Sequence, residues 1–246
     1  MMYWILTTPR SGSTFLTASL SQRLGKTARA MELFNKEFIE RRTDFSPDPD
    51  APVGSYLKYL MKKRPSGILG IKVLYNQIEM FAKYSDFASL IAGSKIICLH
   101  RSNVIKQAIS FYIATQTQQW TSSPNRPAAK DVSEVSYSFS AISKAVARME
   151  SHNSRLRRFL LVNELQHLSI TYEDFVKDPD GASDRVITYL GLEKLETARE
   201  AKKRYEKQAT SRNEEFYGRF ISDERSRYFG DGSYLGPPLF CESQSK

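Results

Sequence analysis

The sequence predicts an α/β fold built on a mainly parallel β-sheet of the P-loop type, flanked by helices. Three observations carry that prediction. Four short runs, Tyr3–Leu6, Ile68–Leu74, Lys95–Leu99 and Leu168–Tyr172, are rich in β-branched and aliphatic residues, as strands buried on both faces require. Between them apolar residues recur at helical spacing, as in Leu16, Leu20 and Leu24 or Ile105, Ile109 and Ile113. The first run also leads at once into TTPRSGSTFL (Thr7–Leu16), a small-residue turn that opens a helix. Strands alternating with helices in this way indicate a parallel sheet.

Taken in order, Tyr3–Leu6 is the first strand, Thr8–Gly12 the turn and Ser13–Leu24 the first helix. Thr43–Ser55 (TDFSPDPDAPVGS) and Thr121–Ser133 are Pro/Asp/Ser-rich and read as loops. A long helical pattern runs from about Val135 to Leu165 through Ile142, Val146, Met149, Leu156 and Leu160. DPDG reads as a turn before a helix at Ala182–Leu190. The chain is dense in both charges from Arg199 to Arg227. Residues 1–229 are expected to form one domain, and residues 230–246 a flexible tail.

A chain of 246 residues with 41% hydrophobic content is long enough to bury a sizeable core. Its 36 Lys+Arg against 27 Asp+Glu give 36 − 27 = +9, which suits an anionic partner. No nucleic-acid module accompanies that charge, so no nucleic acid is expected. Cys98 and Cys241 are the only cysteines, too few for a disulfide framework. No apolar stretch approaches the roughly 20 residues of a membrane span, and the N-terminus lacks the basic and long apolar parts of a signal peptide. A cytoplasmic location is expected.

The turn is a recipe for anion binding. Its backbone N–H groups and the positive end of the following helix point toward one place. An NTPase loop would read G-x-x-x-x-G-K-[ST]. Here the lysine position holds Ser13, the first glycine is absent, and the only cation in the loop is Arg10. The third strand ends in IICLHR, with no aspartate to hold Mg²⁺. These omissions speak against ATP hydrolysis by a small-molecule kinase, the leading alternative, but not against a phosphate ligand.

PRSGST resembles the 5′-phosphosulfate loop of sulfotransferases, which use 3′-phosphoadenosine 5′-phosphosulfate (PAPS) without a metal. HRSNVIKQAISFYIATQTQQW, His100–Trp120, resembles their 3′-phosphate segment, with Ser110 nine residues after Arg101. Its continuation, QAISFYIATQTQQW, more closely resembles one branch, the bacterial trehalose 2-sulfotransferase family and its relatives. MELF (Met31–Phe34), GIKVLYNQ (Gly70–Gln77) and QATSRNEEFYGRF (Gln208–Phe220) resemble further segments of that family, in the same order. The likeness runs from about Tyr3 to Phe220.

That resemblance implies roles. Arg10, Ser11, Gly12, Ser13 and Thr14 would cradle the 5′-phosphosulfate, with Arg10 and Lys72 stabilising the charge that develops during transfer. Arg101, Ser110 and Arg212 would hold the 3′-phosphate. Glu32 would be the base that activates the acceptor hydroxyl, with Glu37 in reserve. Asn76, Gln77, Gln116 and Trp120 would line the pocket of a carbohydrate or glycolipid acceptor. Tyr172 would lie near the adenine or pack in the fold. His100, His152 and His167 receive no catalytic role. The resemblance also implies a homodimer.

Overall fold

The computed structural model describes residues 1–25, 29–34, 53–64, 66–81, 87–120, 129–193 and 211–229. Strands β1 (Met2–Thr7), β2 (Leu69–Leu74), β3 (Lys95–His100) and β4 (His167–Thr171) form one sheet in the order β2-β1-β3-β4. Every pairing is parallel. The four runs read from the sequence are therefore the four strands, with no end displaced by more than one residue.

Side-chain alternation along the strands sends successive residues to opposite faces. On one face Trp4, Leu6, Ile71, Val73, Ile96 and Cys98 pack against helices α2 (Val53–Lys62), α4 (Phe87–Ala92) and the second half of α6 (Phe139–Val162). Trp4 stacks on Phe34 and meets Phe87 edge-on. On the other face Tyr3, Ile5, Ile97, Leu99 and Ile170 meet α1 (Ser13–Leu24) and α8 (Pro179–Leu190). The Leu16–Leu20–Leu24 stripe is the buried side of α1. A third core joins α5 (Val104–Thr117), the first half of α6 and α9 (Ser211–Phe229).

Register places Thr7, Leu74, Leu99 and Ile170 side by side, so all four strands end at one edge. From β1 the chain continues to β2 on one side, and from β3 to β4 on the other. The ends of β1 and β3 therefore flank the point where the winding reverses. In open α/β sheets that crevice is where ligands bind.

Local capping corrects several sequence expectations. DPDG is a helix start rather than a turn: the Asp178 carboxylate accepts from Gly181 N, and Pro179 occupies the first turn, where its missing N–H costs nothing. Tyr172 does not end the fourth strand but begins a short helix, α7 (Tyr172–Lys177), because Thr171 caps it by accepting from Asp174 N. The long helix starts at Phe139, where the Ser138 hydroxyl accepts from Ala141 N. Val53 opens α2, and Val132–Glu134 form a 3₁₀ turn, so both expected loops give way to helix at their C-terminal ends. The charged stretch before Arg227 holds α9. Glu37 and residues 230–246 lie outside the described residues.

Candidate active site

The loop after β1 meets the predicted form. Gly12 caps α1 with φ 86, a left-handed conformation, and no side chain caps the helix. The first N–H groups of α1 have no intrahelical partner and remain available to an anion. Gly12 is required twice over. Beyond its backbone angle, an added Cβ would run into the Tyr172 ring, with Cε2 only 2.8 Å away. Gly12→Ala is expected to lower the thermal midpoint by several degrees and to weaken anion binding at the loop. A variant with wild-type melting and binding would show that the contact is dispensable.

Two arginines converge beside this loop. Arg10 has φ 63 and donates from Nε to Ser110 Oγ (3.0 Å) and from Nη1 to the Trp120 carbonyl (2.9 Å). Burial, and then the like charge of Arg101, pull its pKa down to about 10. Arg101 follows the end of β3. Its guanidinium lies over the Tyr172 ring, 4.7 Å from the centroid, and its side chain is only 12% exposed. Burial also holds Arg101 below the ordinary arginine range. Glu173 stands 3.8 Å from Arg101 Nε, too far for a hydrogen bond, and that buried N–H has no partner among the described residues. Two desolvated cations side by side, one with a buried N–H unpartnered among the described residues, favour the approach of an anion. The pair fits a phosphate group.

A second charged cluster sits toward β2. Met31 bridges in parallel to Ile71, with Met31 N donating to Gly70 O and Lys72 N to Met31 O. This pins Glu32 next to Lys72, and Lys72 Nζ pairs with Glu32 Oε1 at 2.7 Å. The lysine is 9% exposed and the glutamate 29%. Lys72 lies within β2, paired with Ile5. It is not a solvent-facing lysine.

A family model described as Stf0 sulphotransferase matches residues 2–223. The chain belongs to the Stf0 sulphotransferase family. It is 22% identical to the trehalose 2-sulfotransferase of Mycolicibacterium smegmatis and 23% identical to that of Mycobacterium tuberculosis, in each case over 90% of this chain and 94% of the relative. The sulfotransferase domain of the Synechococcus PCC 7002 olefin synthase shares the fold, at a TM-score of 0.50 and 17% identity, over 90% of this chain and 87% of that domain.

Within this Stf0 sulphotransferase the residues singled out from sequence fall into three groups. Gly12, Ser13 and Thr14 open α1, and Arg10, Ser110 and Arg101 gather beside them. Arg10 and Ser110, assigned to opposite ends of the donor, are hydrogen-bonded to each other. Glu32 and Lys72 form the separate pair at β2. Others have different partners. Ser11 is fully buried and its hydroxyl bonds Thr7 Oγ1 beneath the loop, leaving only its backbone for a ligand. Gln77 turns its carbonyl back to accept from Leu74 N and so caps the short helix α3 (Tyr75–Phe81). Arg212, expected at the 3′-phosphate, donates to the Val135 and Ser133 carbonyls and pairs with Glu215. Asn76, Gln116 and Trp120 are exposed. Trp120 meets Phe111 edge-on, and Arg148 covers the Phe111 ring.

Sequence reasoning missed the residues that brace this arrangement. Glu173 accepts from Ser102 N and Asn103 N and so fixes the turn that carries Arg101. Gln107 and Asn153 hold the phosphate loop from α5 and α6. In the sequence they are polar residues inside helical patterns, indistinguishable from a solvent face. Tyr172, left open between two roles, is wedged between Gly12 and Arg101.

Proposed function

We propose that this chain transfers a sulfuryl group from PAPS to a hydroxyl of a carbohydrate or glycolipid, without a metal ion. The observation that carries the reading is the pairing of two charge clusters on one sheet. The partly buried guanidiniums of Arg10 and Arg101 lie at the β1–β3 crevice, and a carboxylate–ammonium pair lies beside β2. PAPS when bound supplies the activated sulfuryl group. Arg101 and Ser110 hold its 3′-phosphate, and the α1 N-terminus with Arg10 holds its 5′ end. Lys72, extending from the neighbouring strand, balances charge that builds on the transferring group. Glu32 takes the proton from the acceptor oxygen as that oxygen forms its bond to sulfur and the bond to the leaving phosphate breaks. The trehalose 2-sulfotransferase relatives support a sugar acceptor, and Trp120 with the exposed Asn76 and Gln116 offers stacking and amide contacts suited to one.

The test is transfer from labelled PAPS in EDTA to a panel of sugars and glycolipids. Label appearing on a sugar hydroxyl at an EDTA-insensitive rate is expected. Transfer only after added Mg²⁺, or only to non-sugar acceptors, would overturn the metal-free or the carbohydrate part respectively.

A further inference from the structure

Beneath the phosphate loop three side chains close a ring. The Thr8 hydroxyl donates to Asn153 Oδ1 (2.8 Å), Asn153 Nδ2 donates to Gln107 Oε1 (3.2 Å), and Gln107 Nε2 donates back to Thr8 Oγ1 (2.9 Å). The same Gln107 nitrogen also donates to the Pro9 carbonyl at 2.7 Å. Thr8 and Gln107 are fully buried. Both hydrogens and the carbonyl of the Gln107 amide are thus satisfied, in a circuit where each bond polarises the next.

The position of the ring matters more than its strength. Gln107 stands one helical turn before Ser110, so the two share a face of α5. Gln107 grips Thr8 and Pro9, and Ser110 accepts from Arg10. Three consecutive loop residues are therefore fastened to the helix that follows the Arg101 turn, while Asn153 ties the same point to α6. The N-terminus of α1 and the Arg101–Ser110 corner are the places to which the proposed function assigns the two phosphates. The ring is the buried connection between them.

We propose that Gln107 and Asn153 are positioning residues that set the spacing between the 5′ and 3′ phosphate sites, and so make the enzyme selective for a bisphosphate nucleotide. This rests on the reading of PAPS as donor. A buried polar ring, unlike apolar packing, fixes one arrangement, because a slipped register leaves donors unpaired. A 5′-monophosphate nucleotide uses only the loop and does not sense that spacing. A 3′,5′-bisphosphate must span both sites and does.

The test compares calorimetric titrations of 3′,5′-ADP and 5′-AMP on the wild-type chain, Gln107→Leu and Gln107→Glu, with thermal midpoints recorded alongside. The wild type should prefer the bisphosphate strongly. Gln107→Leu should lose about tenfold more affinity for 3′,5′-ADP than for 5′-AMP, the scale of one or two lost buried hydrogen bonds. Gln107→Glu should not restore the preference, since a carboxylate cannot donate to Pro9 O. A purely structural role would lower the midpoint and weaken both nucleotides alike. An unchanged ratio of the two affinities in a folded variant overturns the inference. Should Gln107→Leu fail to fold, Asn153→Ala, which removes one corner of the ring, must lower the same ratio, and an unchanged ratio there overturns it equally. A wild-type chain that does not prefer the bisphosphate removes the donor reading and this inference together.

Discussion

Arg101→Ala is expected to raise the dissociation constant for 3′,5′-ADP about 100-fold, the range seen when one partner of a desolvated charge pair is deleted. The reason lies in the surroundings of its guanidinium. Arg101 is largely buried, carries an Nε–H with no hydrogen-bond partner among the described residues, and is held over the Tyr172 ring beside the like charge of Arg10. Nothing in that arrangement favours the fold strongly. The Glu173 carboxylate at 3.8 Å offsets part of the charge but is already engaged by two backbone N–H groups. The variant should therefore melt close to wild type, while affinity for 5′-AMP falls much less. A dissociation constant for 3′,5′-ADP within about twofold of wild type, a difference of only a few tenths of a kcal/mol, would remove Arg101 from the 3′-phosphate site.

Glu32→Gln should lower turnover about 10²- to 10⁴-fold, the usual worth of a positioned general base, with 3′,5′-ADP affinity unchanged. Glutamine keeps the shape of the side chain and can still accept from Lys72 Nζ, now 2.7 Å from Glu32 Oε1. It cannot take a proton. The bridge from Met31 to Ile71 holds the backbone at this point independently of the side chain, so the neighbouring segment should stay in place. Loss of turnover together with loss of cofactor binding would mean that the change disturbs the site generally. Near wild-type turnover would take the proton away from Glu32.

How far the sequence reached follows from which forces are local. The strands were legible because a parallel sheet covered on both faces needs continuous apolar runs, and Trp4, Ile5, Ile71 and Ile97 supply them. The first helix was legible to the residue, since Gly12 and the Leu16–Leu20–Leu24 stripe mark its start and its buried face. Helix boundaries at Phe139 and Pro179 were not, because they depend on whether Ser138 and Asp178 turn their side chains onto a backbone N–H. In the candidate site, residue types with one obvious use, such as Arg101 and Gly12, were singled out from sequence. The contact between Arg10 and Ser110 spans a hundred positions and depends on how α5 packs on the loop. Gln107 was hidden for a related reason. A glutamine between Lys106 and Ala108 reads as surface, and only the fold brings Thr8 and Asn153 to it. The same fold spends Gln77 on a helix cap and engages Arg212 with two carbonyls.

The measurement closest to the central claim is a calorimetric titration of the purified chain with 3′,5′-ADP and, separately, with ATP, both in EDTA. Tight binding of 3′,5′-ADP with little binding of ATP is the predicted result, because the proposed function gives Arg101 and Ser110 a 3′-phosphate that ATP lacks. Equal binding of the two, or ATP binding that appears only when Mg²⁺ is restored, would contradict it and make a kinase the better description of this site.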